Sequence, residues 1–80
     1  MKHVMTIYST EWCGYCHRLM RQLDGQGVSY EVINIENEPG AADYVMSVNG
    51  GTQTVPTVVF PDGTALTNPS LAQVLDQLSA

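Results

Sequence analysis

Apolar residues recur along this chain at two spacings, and the switches between them mark out its elements. Residues 4–8 are β-prone and mostly apolar on both faces, as an interior strand requires. Cys16, Leu19, Met20 and Leu23 then fall at i, i+3, i+4 and i+7, which is one face of a helix. His17, Arg18, Arg21 and Gln22 occupy the opposite side, and glycines at 25 and 27 stop the run. Residues 28–35, rich in Val and Ile around Tyr30, return to strand composition. A second helix follows Asn37, Glu38 and Pro39, turns Ala41, Val45 and Val48 inward, and ends at Asn49-Gly50-Gly51. Residues 58–60 and 64–67 flank the turn cluster Pro61-Asp62-Gly63 and read as a hairpin. The last helix begins near Ser70, where Ser70 and Gln73 spell a capping box, and presents Leu71, Val74, Leu75 and Leu78 to the sheet.

The order is therefore β-α-β-α-β-β-α. The right-handed crossover of the first βαβ unit makes its two strands parallel, and the hairpin adds antiparallel pairing. This predicts an α/β protein, a central four-stranded mixed sheet flanked by three helices, with residues 1–80 forming one domain. With 80 residues there is room for one small core, and the 44% hydrophobic content suits it. No apolar run approaches the ~20 residues that cross a bilayer. The N-terminus shows no apolar export segment, so a cytoplasmic protein is expected. A net charge of −5 with three basic residues argues against nucleic acid and anionic membrane as partners. Nothing in the pattern requires an obligate dimer, so a monomer is expected.

Chemistry concentrates in C-G-Y-C at 13–16, the junction of the first strand and helix. Cys13 and Cys16 are the only two cysteines, and in a reducing compartment such a pair points to thiol–disulfide exchange rather than a structural staple. Closing so short a loop removes little unfolded-state entropy in any case. Cys13 falls at or just before the first helical turn, where free backbone N–H groups and the helix dipole favour a thiolate, so it is expected to be exposed and nucleophilic. Cys16 lies on the inward stripe, titrates higher and acts as the resolving sulfur. Gly14 would permit the sharp helix entry and Tyr15 would wall the cleft. Trp12 offers a flat surface to a substrate or packs partly against the fold, two readings the residue pattern leaves open. Arg18 and Arg21 read as a solvated helix face, while Glu11 opposes a thiolate. Val55-Pro56-Thr57 starts a strand with a proline, which is tolerated there. A cis bond at Pro56 would free backbone groups of Val55 to pair with an extended disulfide substrate.

The run T-I-Y-S-T-E-W-C-G-Y-C, with T-V-P-T at 54–57 and D-G-T at 62–64, resembles the glutaredoxin branch of the thioredoxin superfamily over essentially the whole chain. The resemblance implies a thioredoxin fold, a cis Pro56, and a thiol co-substrate contacting Val55, Thr67 and Asn68 beside Trp12, Tyr15 and Pro56. W-C-G-Y-C, S-V-N-G-G at 47–51, T-V-P-T-V and L-T-N-P-S at 66–70 are more similar still to the mycoredoxins, small actinobacterial glutaredoxin-like proteins. That implies removal of mycothiol from mixed disulfides on proteins and small substrates. Cys13 would take the mycothiol, and mycothiol disulfide reductase would recycle it. Position 14 is Gly where ordinary glutaredoxins usually carry Pro. Thr10 stands where many have a lysine for the glycine carboxylate of glutathione. Mycothiol, a cysteine on a pseudo-disaccharide, is essentially uncharged apart from its thiol and has no need of that lysine.

Three alternatives compete. The nearest is a dithiol redoxin that donates electrons to ribonucleotide reductase and is reduced by thioredoxin reductase. Cys13, Cys16 and His17 also spell the C-x-x-C-H of covalent haem attachment, but the β-rich flanks and the polar-side placement of His17 argue against it. Two cysteines supply half a tetrahedral metal set, and His3 has no spacing that ties it to them. A cluster bridged between two subunits is known for some glutaredoxins. No bound cofactor or metal is expected here.

Overall fold

The computed structural model describes residues 5–79. Val4 of the predicted first strand and the N-terminal stretch before it lie outside the described residues. The elements run β1 (Met5–Ser9), α1 (Gly14–Gly25), β2 (Tyr30–Asn34), α2 (Ala41–Val48), β3 (Thr57–Val59), β4 (Ala65–Thr67) and α3 (Leu71–Ser79), the predicted order. They build one four-stranded mixed sheet in the order β2-β1-β3-β4. β1 runs parallel to β2, from Met5 opposite Tyr30 to Ser9 opposite Asn34, and antiparallel to β3, with Ile7 opposite Val58. β3 and β4 form the hairpin.

Successive strand residues point to opposite faces, and the core divides accordingly. Met5 and Ile7 of β1 join Val58, Phe60, Leu19 and Leu23 of α1, and Val74 of α3. Tyr8 of β1 and Ile33 of β2 pack instead with Ile35, Ala41 and Val45 beside α2. One face of the sheet thus carries α1 and α3, the other α2. The far end of α1 is fastened to β2 by Tyr30, whose hydroxyl donates to Asp24 Oδ1 at 2.8 Å and lies 3.4 Å from the Met20 carbonyl. The predicted capping box of α3 is formed. The Ser70 N–H donates to Gln73 Oε1 at 2.8 Å, and the Gln73 N–H to Ser70 Oγ at 3.1 Å.

Some predicted details differ. β2 begins at Tyr30, because the Val28 N–H is committed to closing α1 through the Leu23 carbonyl. Val48 and Leu78, expected to face inward, are 39% and 38% exposed. Both sit in the last turn of their helix, and Leu78 there borders an open pocket with Phe60 and Pro61. After α2, Gly50 and Gly51 take φ of 69° and 101° in succession, a reversal that residues with a Cβ resist. It returns the chain toward β3.

These placements separate two leucines. Leu23→Ala should cost about 2–5 kcal/mol in urea unfolding, as burial of the whole side chain requires. Leu78→Ala should cost no more than about 1 kcal/mol.

Candidate active site

All four strands deliver a loop to the same edge of the sheet. β1 and β2 are parallel, so their C-terminal ends lead into Cys13 and Glu36 side by side. β3 runs the other way, which brings its N-terminal approach, Val55-Pro56, to that edge. β4 reverses again and ends there with Thr67 and Asn68. The topology therefore gathers Trp12, Cys13, Val55, Pro56, Thr67 and Asn68 from distant parts of the sequence.

Cys13 is the N-cap of α1. Its backbone is extended (φ −81°, ψ 104°), and its Sγ accepts the N–H of Cys16 at 3.2 Å. That N–H is one of the donors a helix start leaves without an intrahelical partner, and it is directed at any negative charge on the sulfur. The first helical bond runs from the His17 N–H to the Cys13 carbonyl at 3.2 Å. The predicted position at the helix start is confirmed, but the predicted exposure is not: Cys13 is only 5% exposed. Capping is the reason, since it turns the sulfur back over the first turn. Trp12, Gly14 and Tyr15 around it are open to solvent, with Trp12 72% and Tyr15 66% exposed.

Cys16 is fully buried, and its thiol is pushed up to about 12, by loss of solvation first and then by the adjacent Cys13 sulfur. This agrees with the sequence reading of a higher-titrating inner thiol. Both cysteines are free thiols. Gly14 departs from expectation: its φ is not positive, and a Cβ there would meet nothing within 4 Å. The helix entry does not require glycine. The exposure of Trp12 rules out the partial-burial reading. Its indole Nε1–H donates to Glu36 Oε2 at 3.3 Å, while the Asn34 side chain accepts the Glu36 N–H at 2.9 Å. His17, predicted to be solvated, is exposed and hydrogen-bonds through Nε2 to the Glu11 carbonyl at 2.7 Å. Arg18 and Arg21 are exposed as predicted, and Thr10 is buried.

The Val55–Pro56 bond is cis. The Cys13 thiol donates to the Val55 carbonyl at 3.8 Å. The Asn68 N–H donates to the Pro56 carbonyl at 2.7 Å, with Asn68 itself at φ 46°. Beside Tyr15, a cleft of about 290 Å³ is lined by Arg18, Gln22, Asn68 and Ser70 among others. Two residues of this edge went unread in the sequence. Glu36 gave no signal. Asn49 registered as a helix stop and as part of the S-V-N-G-G likeness, with no partner assigned, although hydroxyl-bearing residues at 52, 54 and 57 were a hint that a polar loop needed one.

Comparison with known proteins agrees with this geometry. The glutaredoxin family profile matches residues 5–65. Mycoredoxin 1 of Corynebacterium glutamicum is 45% identical over 76 residues, 95% of this chain and 94% of that protein. A candidate glutaredoxin of Mycobacterium tuberculosis is 51% identical over 74 residues, 92% of this chain and 88% of its own length. Among solved structures, the Archaeoglobus fulgidus glutaredoxin superposes with a TM-score of 0.77 at 25% identity, covering 95% of this chain and 86% of that one.

Two outcomes are expected from the dithiol geometry. The first concerns stability and pH. The folded state holds the Cys16 proton while an unfolded thiol releases it near ~8.5, so the reduced protein should lose stability progressively as pH rises above that value. Urea titrations across this window should show the slope flattened in Cys16→Ala. The second concerns Gly14→Ala, which should raise stability by about 0.4–1 kcal/mol in the same assay, since the new methyl meets open space.

Proposed function

The chain belongs to the glutaredoxin family, and from that premise we propose that it reduces mixed disulfides between mycothiol and proteins or small substrates in the cytoplasm, with Cys13 as the nucleophile. It is a glutaredoxin-family thiol–disulfide oxidoreductase, and the mycothiol specificity is the proposal. The Cys13 thiolate attacks the mycothiol sulfur of the mixed disulfide. A Cys13–mycothiol disulfide forms, and the substrate leaves as a thiolate that takes up a proton. A second mycothiol thiolate attacks the same mycothiol sulfur, releasing Cys13 and forming mycothiol disulfide. The net exchange converts one mixed disulfide and one mycothiol into one substrate thiol and one mycothiol disulfide, which NADPH reduces through mycothiol disulfide reductase.

The observation that carries the choice of mycothiol is the charge around the nucleophile. Glu11 is exposed just before Trp12, and the Trp12 indole holds the Glu36 carboxylate against the rim. Buried Thr10 supplies no cation where many glutaredoxins place a lysine. At an illustrative ~6 Å in water-like surroundings, each carboxylate costs a carboxylate ligand about 0.7 kcal/mol. Arg18 in the cleft beside Tyr15 offsets part of this, and the two carboxylates against one guanidinium leave a net preference of a few-fold for a ligand without negative charge. The likeness to a protein named mycoredoxin supports the same choice. Trp12, Tyr15, Val55, Pro56, Thr67 and Asn68 would receive the co-substrate.

The elevated Cys16 thiol favours the monothiol route. Burial, the largest cause and the one that persists once Cys13 is in a disulfide, disfavours the Cys16 thiolate and slows its attack on the mixed disulfide, leaving time for a second mycothiol. Cys16→Ala should therefore retain most mycothiol-coupled activity and lose the capacity to donate electrons as a dithiol, whereas Cys13→Ser should lose both. The reductant is identified by following NADPH consumption with three systems: mycothiol plus its disulfide reductase, glutathione plus glutathione reductase, and thioredoxin reductase alone. Turnover is expected with the first. Turnover with thioredoxin reductase alone would replace this reading with the ribonucleotide reductase donor.

A further inference from the structure

We propose that Asn49 is a positioning residue for disulfide exchange: its carboxamide fixes Val55 and Asn68, the two walls of the substrate groove, relative to the Cys13 sulfur. Asn49 caps the C-terminus of α2, with its own N–H on the Val45 and Met46 carbonyls. Its side chain reaches away from the helix. Nδ2 donates to Thr57 Oγ1 at 2.9 Å and to the Thr54 carbonyl at 3.3 Å, and Oδ1 accepts from the Thr67 hydroxyl. Both amide protons and the oxygen are engaged. Fully buried Thr57 closes a triangle, its hydroxyl donating to the Thr54 carbonyl at 2.8 Å while accepting from Asn49.

Thr54 and Thr57 bracket Val55-Pro56. Holding both ends of that four-residue stretch fixes the carbonyl of Val55, which faces the Cys13 thiol at 3.8 Å. Thr67 precedes Asn68, whose N–H is tied to the Pro56 carbonyl at 2.7 Å. One side chain thus links the approach to β3 with the exit of β4. The side-chain chemistry is specific. Aspartate would set a carboxylate against the Thr54 carbonyl and lose both donors, and alanine would leave the buried Thr57 hydroxyl short of a partner. No apolar packing explains a half-buried amide whose every polar contact goes to this loop and its neighbour.

The proposal rests on the reading that Cys13 is the nucleophile and that a substrate lies along Val55. It separates two kinds of disulfide. A substrate with amide groups on either side of its cysteine Cα needs the backbone of Val55 in place, whereas a bare disulfide needs only the sulfur. The test measures thiol release by the reduced protein from two probes, the disulfide of N-acetylcysteine methylamide and 2-hydroxyethyl disulfide. In Asn49→Ala and in the near-isosteric Thr57→Val, the rate on the amide-bearing probe should fall about tenfold, the effect of one or two lost hydrogen bonds. The rate on 2-hydroxyethyl disulfide should change less than about twofold, and Thr57→Ser should restore the wild-type ratio. Equal losses on both probes would reduce Asn49 to a fold-stabilising residue and overturn the proposal, as would no loss on either. Cys13→Ser is measured alongside. Retained activity there would remove the nucleophile assignment, and with it the positioning role, whatever the Asn49 variants show.

Discussion

One backbone N–H, that of Cys16, ends on the sulfur of Cys13, and the layout of the reactive edge follows from that bond. A helix start has donors to satisfy, and serine or aspartate usually satisfies them. Here a thiol takes the position. The same contact that closes the helix sets the direction of the sulfur and supplies a dipole for its charge. It also turns the sulfur inward, which is why a residue between exposed neighbours is itself nearly covered. Three residues on, helical geometry places the second sulfur on the core face, where it loses solvent and holds its proton. Both sulfurs are covered, but their spacing gives them different surroundings: Cys13 meets a free helix N–H, and Cys16 faces the core.

The sheet order explains why a chain of this size can surround that sulfur. β1 and β3 are its interior strands, and they run in opposite directions. The end of one and the beginning of the other meet at a single edge, with the outer strands adding Glu36 on one side and Asn68 on the other. Helices on the two faces hold different parts of the edge. α1 carries the cysteines against the Leu19–Leu23–Val74 core, while Val55 packs with the α2 cluster. The groove lies on the seam between two cores.

Much of this was legible in the sequence wherever the signal was local. The i, i+3, i+4, i+7 stripe from Cys16 to Leu23, the capping pair Ser70 and Gln73, and the turn at Asp62–Gly63 each depend on residues a few positions apart. The cysteine pair announced its chemistry, and the burial of Cys16 followed from the same stripe, whereas the expected exposure of Cys13 did not hold. What escaped depends on long-range placement. The inward turn of the Cys13 sulfur could not be read from a motif that equally allows an open thiol. Val48 and Leu78 fit their helical stripes, yet each stands in a closing turn that the core does not cover. Glu36 and Asn49 lie 24 and 18 residues from the partners that give them meaning, Trp12 and Thr67. Polar residues in loops carry no periodicity, so only the assembled sheet reveals them.

The anchor at Tyr30 bears on how the first helix behaves during an exchange cycle. Its hydroxyl grips Asp24 at the distal end of α1, and Leu19 and Leu23 bed the middle of the helix into the core. The helix is thereby held at its tail and along its middle, and at its head the bond from the Cys16 N–H to the Cys13 sulfur closes the first turn. Of these three attachments only the last ends on the reacting atom, so it alone must be remade when that sulfur changes its bonding partner.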